Sequence, residues 1–134
     1  MTRARLLLAD DHAAVAEQLR GVLEPEFEVA ATVGDGRALV EAADAIRPDV
    51  IVTDVGMPCL DGIAAALMIL QKDPRARIVF VTGHAEAELL RRALAAGALG
   101  YVLKPAAGDE LVVAVRAALR GERHVSRDIP FSAP

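Results

Sequence analysis

Several residue types are scarce in this 134-residue chain, and each scarcity excludes a class of protein. The only cysteine, Cys59, excludes an internal disulfide and any metal site built from several thiolates, and it suits a reducing compartment. No apolar run reaches the roughly 18 residues that a membrane-spanning helix needs, and the amino-terminal apolar stretch is too short for a signal-peptide core. We therefore expect a cytoplasmic protein that does not associate with a membrane.

Positive charge is also in short supply. Fifteen Lys and Arg residues stand against nineteen Asp and Glu residues, which leaves a formal net charge of −4. This is the wrong sign for a domain that grips nucleic acid through its phosphates, so we expect no direct nucleic-acid binding by this segment. Hydrophobic residues, by contrast, make up 54% of the chain, enough for the core of one domain.

Short aliphatic runs alternate with segments of helical periodicity. Five runs predict β-strands, and three of them have the composition of strands buried on both faces; the runs are residues 5–9, 27–33, 50–53, 78–81 and 99–103. The order is (βα)5, and right-handed crossovers of this kind predict a single doubly wound α/β domain with a parallel sheet. We assign residues 1–121 to this domain. After Gly121 the periodicity fails, and we interpret residues 122–134 as a C-terminal tail or the start of a linker.

Polar residues follow four of the predicted strands. Each has an ordinary interpretation when taken alone: an acid that caps the next helix, a strand-end hydroxyl or a solvated amine. Together they are more informative, because the carboxyl ends of parallel strands meet at one edge of the sheet. The residues are the pair Asp10 and Asp11, then Asp54, Thr82 and Lys104.

The chemistry of this set is that of phosphoryl transfer. Two carboxylates about 4 Å apart repel by roughly 4 kcal/mol at an effective dielectric constant of 20, and a hard divalent cation such as Mg²⁺ relieves that repulsion. Lys104 and Thr82 would then face the same crevice with an ammonium and a hydroxyl, the groups that stabilise a phosphoryl group. The sequence therefore predicts a magnesium-dependent phosphoryl-transfer pocket.

These motifs, in this order and spacing, resemble the receiver domain of bacterial two-component response regulators over residues 4 to about 121. They are Asp10-Asp11, Asp54-Val55-Gly56-Met57-Pro58 with Asp61-Gly62, Val81-Thr82-Gly83, and Gly100-Tyr101-Val102-Leu103-Lys104-Pro105. The resemblance implies a flavodoxin-like, five-stranded parallel sheet in the order 2-1-3-4-5, and a cis peptide bond before Pro105.

The resemblance also implies a role for each residue of the pocket. Asp54 would be the phospho-acceptor, and Lys104 would place its ammonium on the phosphoryl oxygens. Mg²⁺ would be bound directly by Asp11 and Asp54 and by the backbone carbonyl of Gly56, and through water by Asp10. Thr82 would be the hydroxyl that follows the phosphoryl group, and Tyr101 the aromatic residue that turns inward after it.

The implied partners are those of a signalling switch. A sensor histidine kinase, a phosphotransfer protein or a small phosphodonor would supply the phosphoryl group, with the domain's own chemistry limited to self-catalysed phosphorylation and dephosphorylation. The altered surface would be the fourth helix, fifth strand and fifth helix, with a homodimer as one outcome. Residues 111–126 resemble the end of NarL/FixJ-type receivers, in which a helix-turn-helix domain controls transcription. The chain is then either a stand-alone receiver or part of a longer regulator whose output domain lay beyond Pro134.

Two other classes compete with this interpretation. A phosphatase of the haloacid dehalogenase kind uses similar residues but needs a second acid two positions after its nucleophile, where this chain has Gly56. A degenerate receiver that acts only as a binding module would normally lack one of the five key residues, and all five are present.

Overall fold

Strands and helices alternate along the part of the chain that the computed structural model describes, residues 3–126. The periodicities of the sequence explain them, since short β-branched runs form strands and apolar residues three or four apart form the helices between them. The elements are β1 Arg5–Ala9, α1 Ala13–Leu23, β2 Glu28–Val33, α2 Gly36–Ile46, β3 Val50–Thr53, α3 Gly62–Lys72, β4 Ile78–Thr82, α4 Ala87–Ala95, β5 Gly100–Leu103, a 3₁₀ turn Lys104–Ala106, α5 Ala107–Leu119 and β6 His124–Val125.

The sheet confirms the predicted doubly wound α/β architecture. Its order within residues 3–126 is β2-β1-β3-β4-β5-β6, with every neighbouring pair parallel. The first five strands therefore have the order 2-1-3-4-5, but the expected count of five strands is corrected to six. The two residues of β6 are too few to carry a periodic pattern, and the backbone bonds of the segment to Leu99 and Tyr101 define its place. The boundary at residue 121 stays a prediction, and residues 127–134 lie outside the described part.

The core lies in two layers, one on each face of the sheet. Every residue of β3 and β4 is buried, as expected for central strands covered on both faces. Leu39, Ile63 and Leu90, from α2, α3 and α4, pack in one layer. Leu19 and Leu111, from α1 and α5, pack in the other. This rigid framework leaves the carboxyl edge of the sheet to carry polar side chains.

Helix capping accounts for some aspartates but not for the acid pair after β1. Asp35 and Asp61 cap α2 and α3, and each accepts a hydrogen bond of 2.8 Å from a backbone N–H of its helix. The N-cap of α1 is His12, which makes no side-chain capping bond. The capping interpretation of Asp10 and Asp11 is therefore wrong. No peptide bond within residues 3–126 is cis, so the bond before Pro105 is trans, contrary to what the resemblance implies.

Candidate functional site

The pairing of β1 with β3 places two carboxylates side by side at the carboxyl edge of the sheet. Ala9 and Thr53 are partners in this register, so Asp10 and Asp54 are the next residues on the two strands. The backbone N–H of Asp54 donates to the carbonyl of Ala9 at 2.9 Å, which extends the ladder by one bond. Asp10 and Asp54 are only 3% and 6% exposed. Two adjacent buried acids need compensating positive charge.

Lys104 provides one positive charge. It follows β5 directly, and its Nζ lies 2.9 Å from Oδ2 of Asp54 and 3.0 Å from Oδ2 of Asp10. Partial burial opposes the charge of the ammonium, but the hydrogen bond to Asp54, the close contact with Asp10 and the coulombic attraction of both carboxylates outweigh it, so the pKa of Lys104 is raised. The side chain therefore stays cationic at physiological pH, shared between the two carboxylates.

The backbone around Asp54 fixes its carboxylate. Oδ1 of Asp54 accepts a hydrogen bond from the N–H of Val55 at 2.7 Å, while Oδ2 faces Lys104. The first residue of α3, Gly62, packs against this turn, and a β-carbon at Gly62 would lie 2.0 Å from the carbonyl oxygen of Asp54. Only glycine permits this close approach, which explains the Asp61-Gly62 pair: Asp61 caps α3, and Gly62 lets the helix start against the backbone of Asp54.

The acidic residues keep an excess of negative charge that fits a divalent cation. Asp10, Asp11 and Asp54 bring three carboxylates against the single ammonium of Lys104. Oδ2 of Asp10 is buried and makes no hydrogen bond of good geometry with the described residues, despite its contact with Nζ. Ligand atoms of Asp10, Asp11 and His12 lie within 4.8 Å of one another. Exposed Gly56 offers a carbonyl that accepts no hydrogen bond from residues 3–126. The donor set of carboxylate and carbonyl oxygens is the one that Mg²⁺ prefers.

Thr82 and Tyr101 form a second group, joined through the backbone of His84. Oγ1 of Thr82 accepts the N–H of His84 at 3.2 Å, and the hydroxyl of Tyr101 donates to the carbonyl of His84 at 3.0 Å. Thr82 and Tyr101 are both fully buried. Desolvation, with smaller contributions from the negative charges of Glu86 and Asp54, raises the pKa of Tyr101 to about 12. The tyrosine thus points inward and stays neutral.

The structure brings together most of the residues that the sequence singled out. Asp10, Asp54 and Lys104 are in direct contact, and Asp11 lies beside Asp10. Thr82 and Tyr101 are linked to each other through His84 rather than bonded to the carboxylates. Sequence reasoning placed His84 on the surface, which holds for its exposed side chain. Its backbone role was missed because a peptide group carries no residue-specific signal; the only indication is its position two residues after Thr82.

The fold and the site together define a flavodoxin-like α/β domain with a buried acidic pocket at the carboxyl edge of its sheet. The family model of the response regulator receiver domain matches residues 6–116, and the chain belongs to this family. Receiver domains are regulatory switches of two-component signalling rather than classical enzymes. They generally bind Mg²⁺ at their acidic pocket, interact with histidine kinases or phosphodonors, and often dimerise.

Individual relatives specify the type of receiver. The chain is 39% identical to the transcriptional regulatory protein YxjL of Bacillus subtilis, over 90% of this chain and 56% of the relative. It is 32% identical to the transcriptional regulatory protein DegU of Brevibacillus brevis, over 92% and 53%. The crystal structure of a LuxR-family response regulator from Aurantimonas superposes with a TM-score of 0.91 and 38% identity, over 96% of this chain and 93% of that one. This chain is a receiver of the NarL/LuxR type.

Two further observations concern the length of the chain and the character of its helices. The chain spans just over half the length of the curated relatives named above. Within residues 3–126, no helix has both the length and the apolar character that crossing a bilayer requires.

Proposed function

We propose that Asp54 accepts a phosphoryl group and that this event operates the switch. The observation that carries the proposal is the contact of Lys104 Nζ with Asp54 at 2.9 Å and with Asp10 at 3.0 Å. Asp54 is the carboxylate with a cationic partner on one side and the acid pair on the other. Asp10 shares the strand-end position and the contact with Lys104, but its side chain is fully buried, whereas the side chain of Asp54 keeps 7% of its surface exposed to a phosphodonor.

Mg²⁺ would be held by Asp11, Asp54 and the carbonyl of Gly56, with Asp10 acting through water. When bound, the ion neutralises the excess negative charge of the pocket and of an incoming phosphoryl group. Gly56 and Gly83 are exposed, and a β-carbon placed on either meets no atom within 4 Å, so the loops after β3 and β4 add no side-chain cover at these two positions. This openness suits both a protein phosphodonor and a small one.

The transfer itself needs little chemistry from the protein. A carboxylate oxygen of Asp54 attacks the phosphorus of a phosphohistidine, the P–N bond breaks, and its electron pair returns to the imidazole nitrogen. Lys104 stabilises negative charge on the phosphoryl oxygens, and Thr82 donates its hydroxyl hydrogen to one of them. Later attack by water on the phosphorus releases phosphate and restores the carboxylate, so both steps are self-catalysed.

The signal would leave the pocket through Thr82 and Tyr101. A phosphoryl oxygen gives the Thr82 hydroxyl a new hydrogen-bond acceptor. As Thr82 moves toward that oxygen, it leaves space behind it, and this space stabilises the inward position of the Tyr101 ring. The surface affected is the α4-β5-α5 face. Three arginines of this face form ion pairs: Arg91 with Glu88, Arg116 with Glu26 and Arg120 with Glu122. Exposed Arg92 makes no ion pair within residues 3–126. Because their charges are already compensated, the paired arginines are weaker candidates for partner contacts than Arg92.

For the whole protein, we propose a cytoplasmic transcription regulator. The supporting observation is the similarity to transcriptional regulatory proteins, of which the matched segments are only 56% and 53%. A sensor histidine kinase or a phosphotransfer protein would phosphorylate the receiver, and a homodimer through the α4-β5-α5 face would couple it to an output domain. Nucleic-acid contacts would belong to that domain, since the net charge of this chain is −4.

Intact-mass measurement after incubation with acetyl phosphate and Mg²⁺ tests the acceptor. We expect one phosphoryl group on the wild type and none on Asp54→Asn, with Asp109→Asn as a control that removes an exposed carboxylate of α5. Labelling of the Asp54→Asn variant at Asp10 or Asp11 would overturn the assignment. An unlabelled wild type would identify a degenerate receiver, and turnover of many equivalents would identify a phosphatase.

A further inference from the structure

The segment after α5 is bonded to the strand that carries the switch tyrosine. The N–H of His124 donates to the carbonyl of Leu99, and the N–H of Ser126 donates to the carbonyl of Tyr101, each at 2.9 Å. The hydroxyl of Ser126 accepts the N–H of Leu103 at 3.0 Å. Residues 124–126 therefore bond to Leu99, Tyr101 and Leu103, and Leu103 directly precedes Lys104.

Three side chains fasten this segment to α5. Oε1 of Glu110 accepts the Ser126 hydroxyl at 3.1 Å, and Nε2 of His124 lies 2.9 Å from the same oxygen. Ser126 is only 2% exposed. The serine and the histidine bond to the glutamate rather than to each other, so the three residues lack the nucleophile–base contact of a hydrolytic triad. We call Glu110, His124 and Ser126 the C-terminal clasp.

The clasp and the pocket share one strand. The hydroxyl of Tyr101 donates to the carbonyl of His84, and the carbonyl of Tyr101 accepts the N–H of Ser126, so this residue contacts both the clasp and the group around Thr82. Leu103, bonded to the Ser126 hydroxyl, is adjacent to the lysine that contacts Asp54. In this structure the closed clasp and the inward tyrosine occur together. A shift of β5 that moved Tyr101 outward would disturb the bonds of Ser126, because those bonds are directional.

We propose that the C-terminal clasp couples the phosphorylation pocket to the chain beyond Ser126, with the closed clasp and the inward Tyr101 stabilising each other. This rests on the proposed function of Asp54. Any output domain would follow Ser126 in the sequence, so the clasp would fix the point from which that connection starts. Glu110 and Ser126 are positioning residues: they act on the pocket through β5 and touch no reacting atom.

Amide hydrogen exchange measured with and without beryllofluoride and Mg²⁺ tests the coupling. In the wild type we expect the phosphoryl analogue to slow exchange of the Ser126 and Leu103 amides at least threefold. Glu110→Ala should speed exchange of both amides about tenfold, since it removes two hydrogen bonds to a carboxylate. Asp109→Ala is the matched control: it removes an acid from the same turn of α5, is exposed, and bonds to neither His124 nor Ser126.

Reciprocity sharpens the test, because coupling between two sites acts equally in both directions. Glu110→Ala should weaken beryllofluoride binding, read from the Thr82 amide resonance, by a factor similar to the protection that the analogue gives the clasp. Ser126→Ala, a second variant with the helix unchanged, should do the same, and Asp109→Ala should not. Binding of the analogue with unchanged or faster exchange at Ser126 would overturn the clasp alone. Failure of the wild type to bind the analogue would overturn the proposed function and the coupling with it.

Discussion

Replacement of Asp11 by asparagine should stabilise the metal-free protein, because it removes one of three carboxylates that a single ammonium compensates. Ligand oxygens of Asp10 and Asp11 lie within 4.8 Å of each other. At that separation the repulsion is about 3.5 kcal/mol at an effective dielectric constant of 20 and about 0.9 kcal/mol in bulk water. Asp11 is exposed, so the lower value applies, and we expect a gain of about 1 kcal/mol in the free energy of unfolding.

The same substitution should remove most of the response to magnesium. An ion that binds only the folded state at about ten times its Kd stabilises that state by about 1.4 kcal/mol, from RT ln(1 + [L]/Kd). For a domain of this size, 1 kcal/mol corresponds to about 4 °C in Tm. The wild type should therefore gain about 5 to 6 °C in magnesium. Asp11→Asn should begin about 4 °C higher in chelator and then change little.

Thermal unfolding followed by circular dichroism, in chelator and across a magnesium titration, measures both effects. Glu41→Gln is the matched control, since it removes an exposed carboxylate from α2 without touching the pocket. It should leave the magnesium response of the wild type intact. A wild-type melting temperature that does not change in millimolar magnesium, or an Asp11→Asn variant that responds fully, would refute the argument that these carboxylates hold a cation.

Two further predictions concern the packing beneath the site and the titration of its tyrosine. Gly62→Ala should lower the free energy of unfolding in urea by about 2 kcal/mol, because the new β-carbon would lie 2.0 Å from the Asp54 carbonyl oxygen. Gly108→Ala, whose β-carbon would have no atom within 4 Å, should raise it by about 0.5 to 1 kcal/mol. Equal effects of the two substitutions would contradict this reasoning. The chain has one tyrosine and no tryptophan, so tyrosinate absorbance reports Tyr101 alone, with a midpoint near 12 when folded and near 10 in denaturant. Because the pKa is higher in the folded state, the neutral phenol contributes its whole stabilisation below pH 10, and this contribution is lost as the pH rises from 10 to 12. A native midpoint near 10 would show that the hydroxyl is not buried.

Local sequence patterns carried much of the fold and the candidate site. Alternation of aliphatic runs with helical periodicity predicted the parallel sheet, and handedness rules then placed the strand ends at one edge. Polar residues at those ends, from Asp10 to Lys104, predict a phosphoryl-transfer pocket from their residue types and positions alone. The fold could be predicted because periodicity is a property of the sequence itself, and the candidate site could be located because a parallel topology collects every strand end in one place.

Contacts between backbone groups far apart in sequence were decided only by the tertiary structure. The backbone N–H and carbonyl of His84 link Thr82 to Tyr101, and the histidine side chain gives no indication of this role. Residues 122–134 lack periodicity, which is typical of a tail or linker. His124 and Val125 nevertheless form a sixth strand beside β5, because the carbonyl groups of Leu99 and Tyr101 accept the N–H groups of His124 and Ser126. Every residue except proline carries the same peptide N–H and carbonyl, so which of these groups bond to each other depends on the packed arrangement of the whole chain.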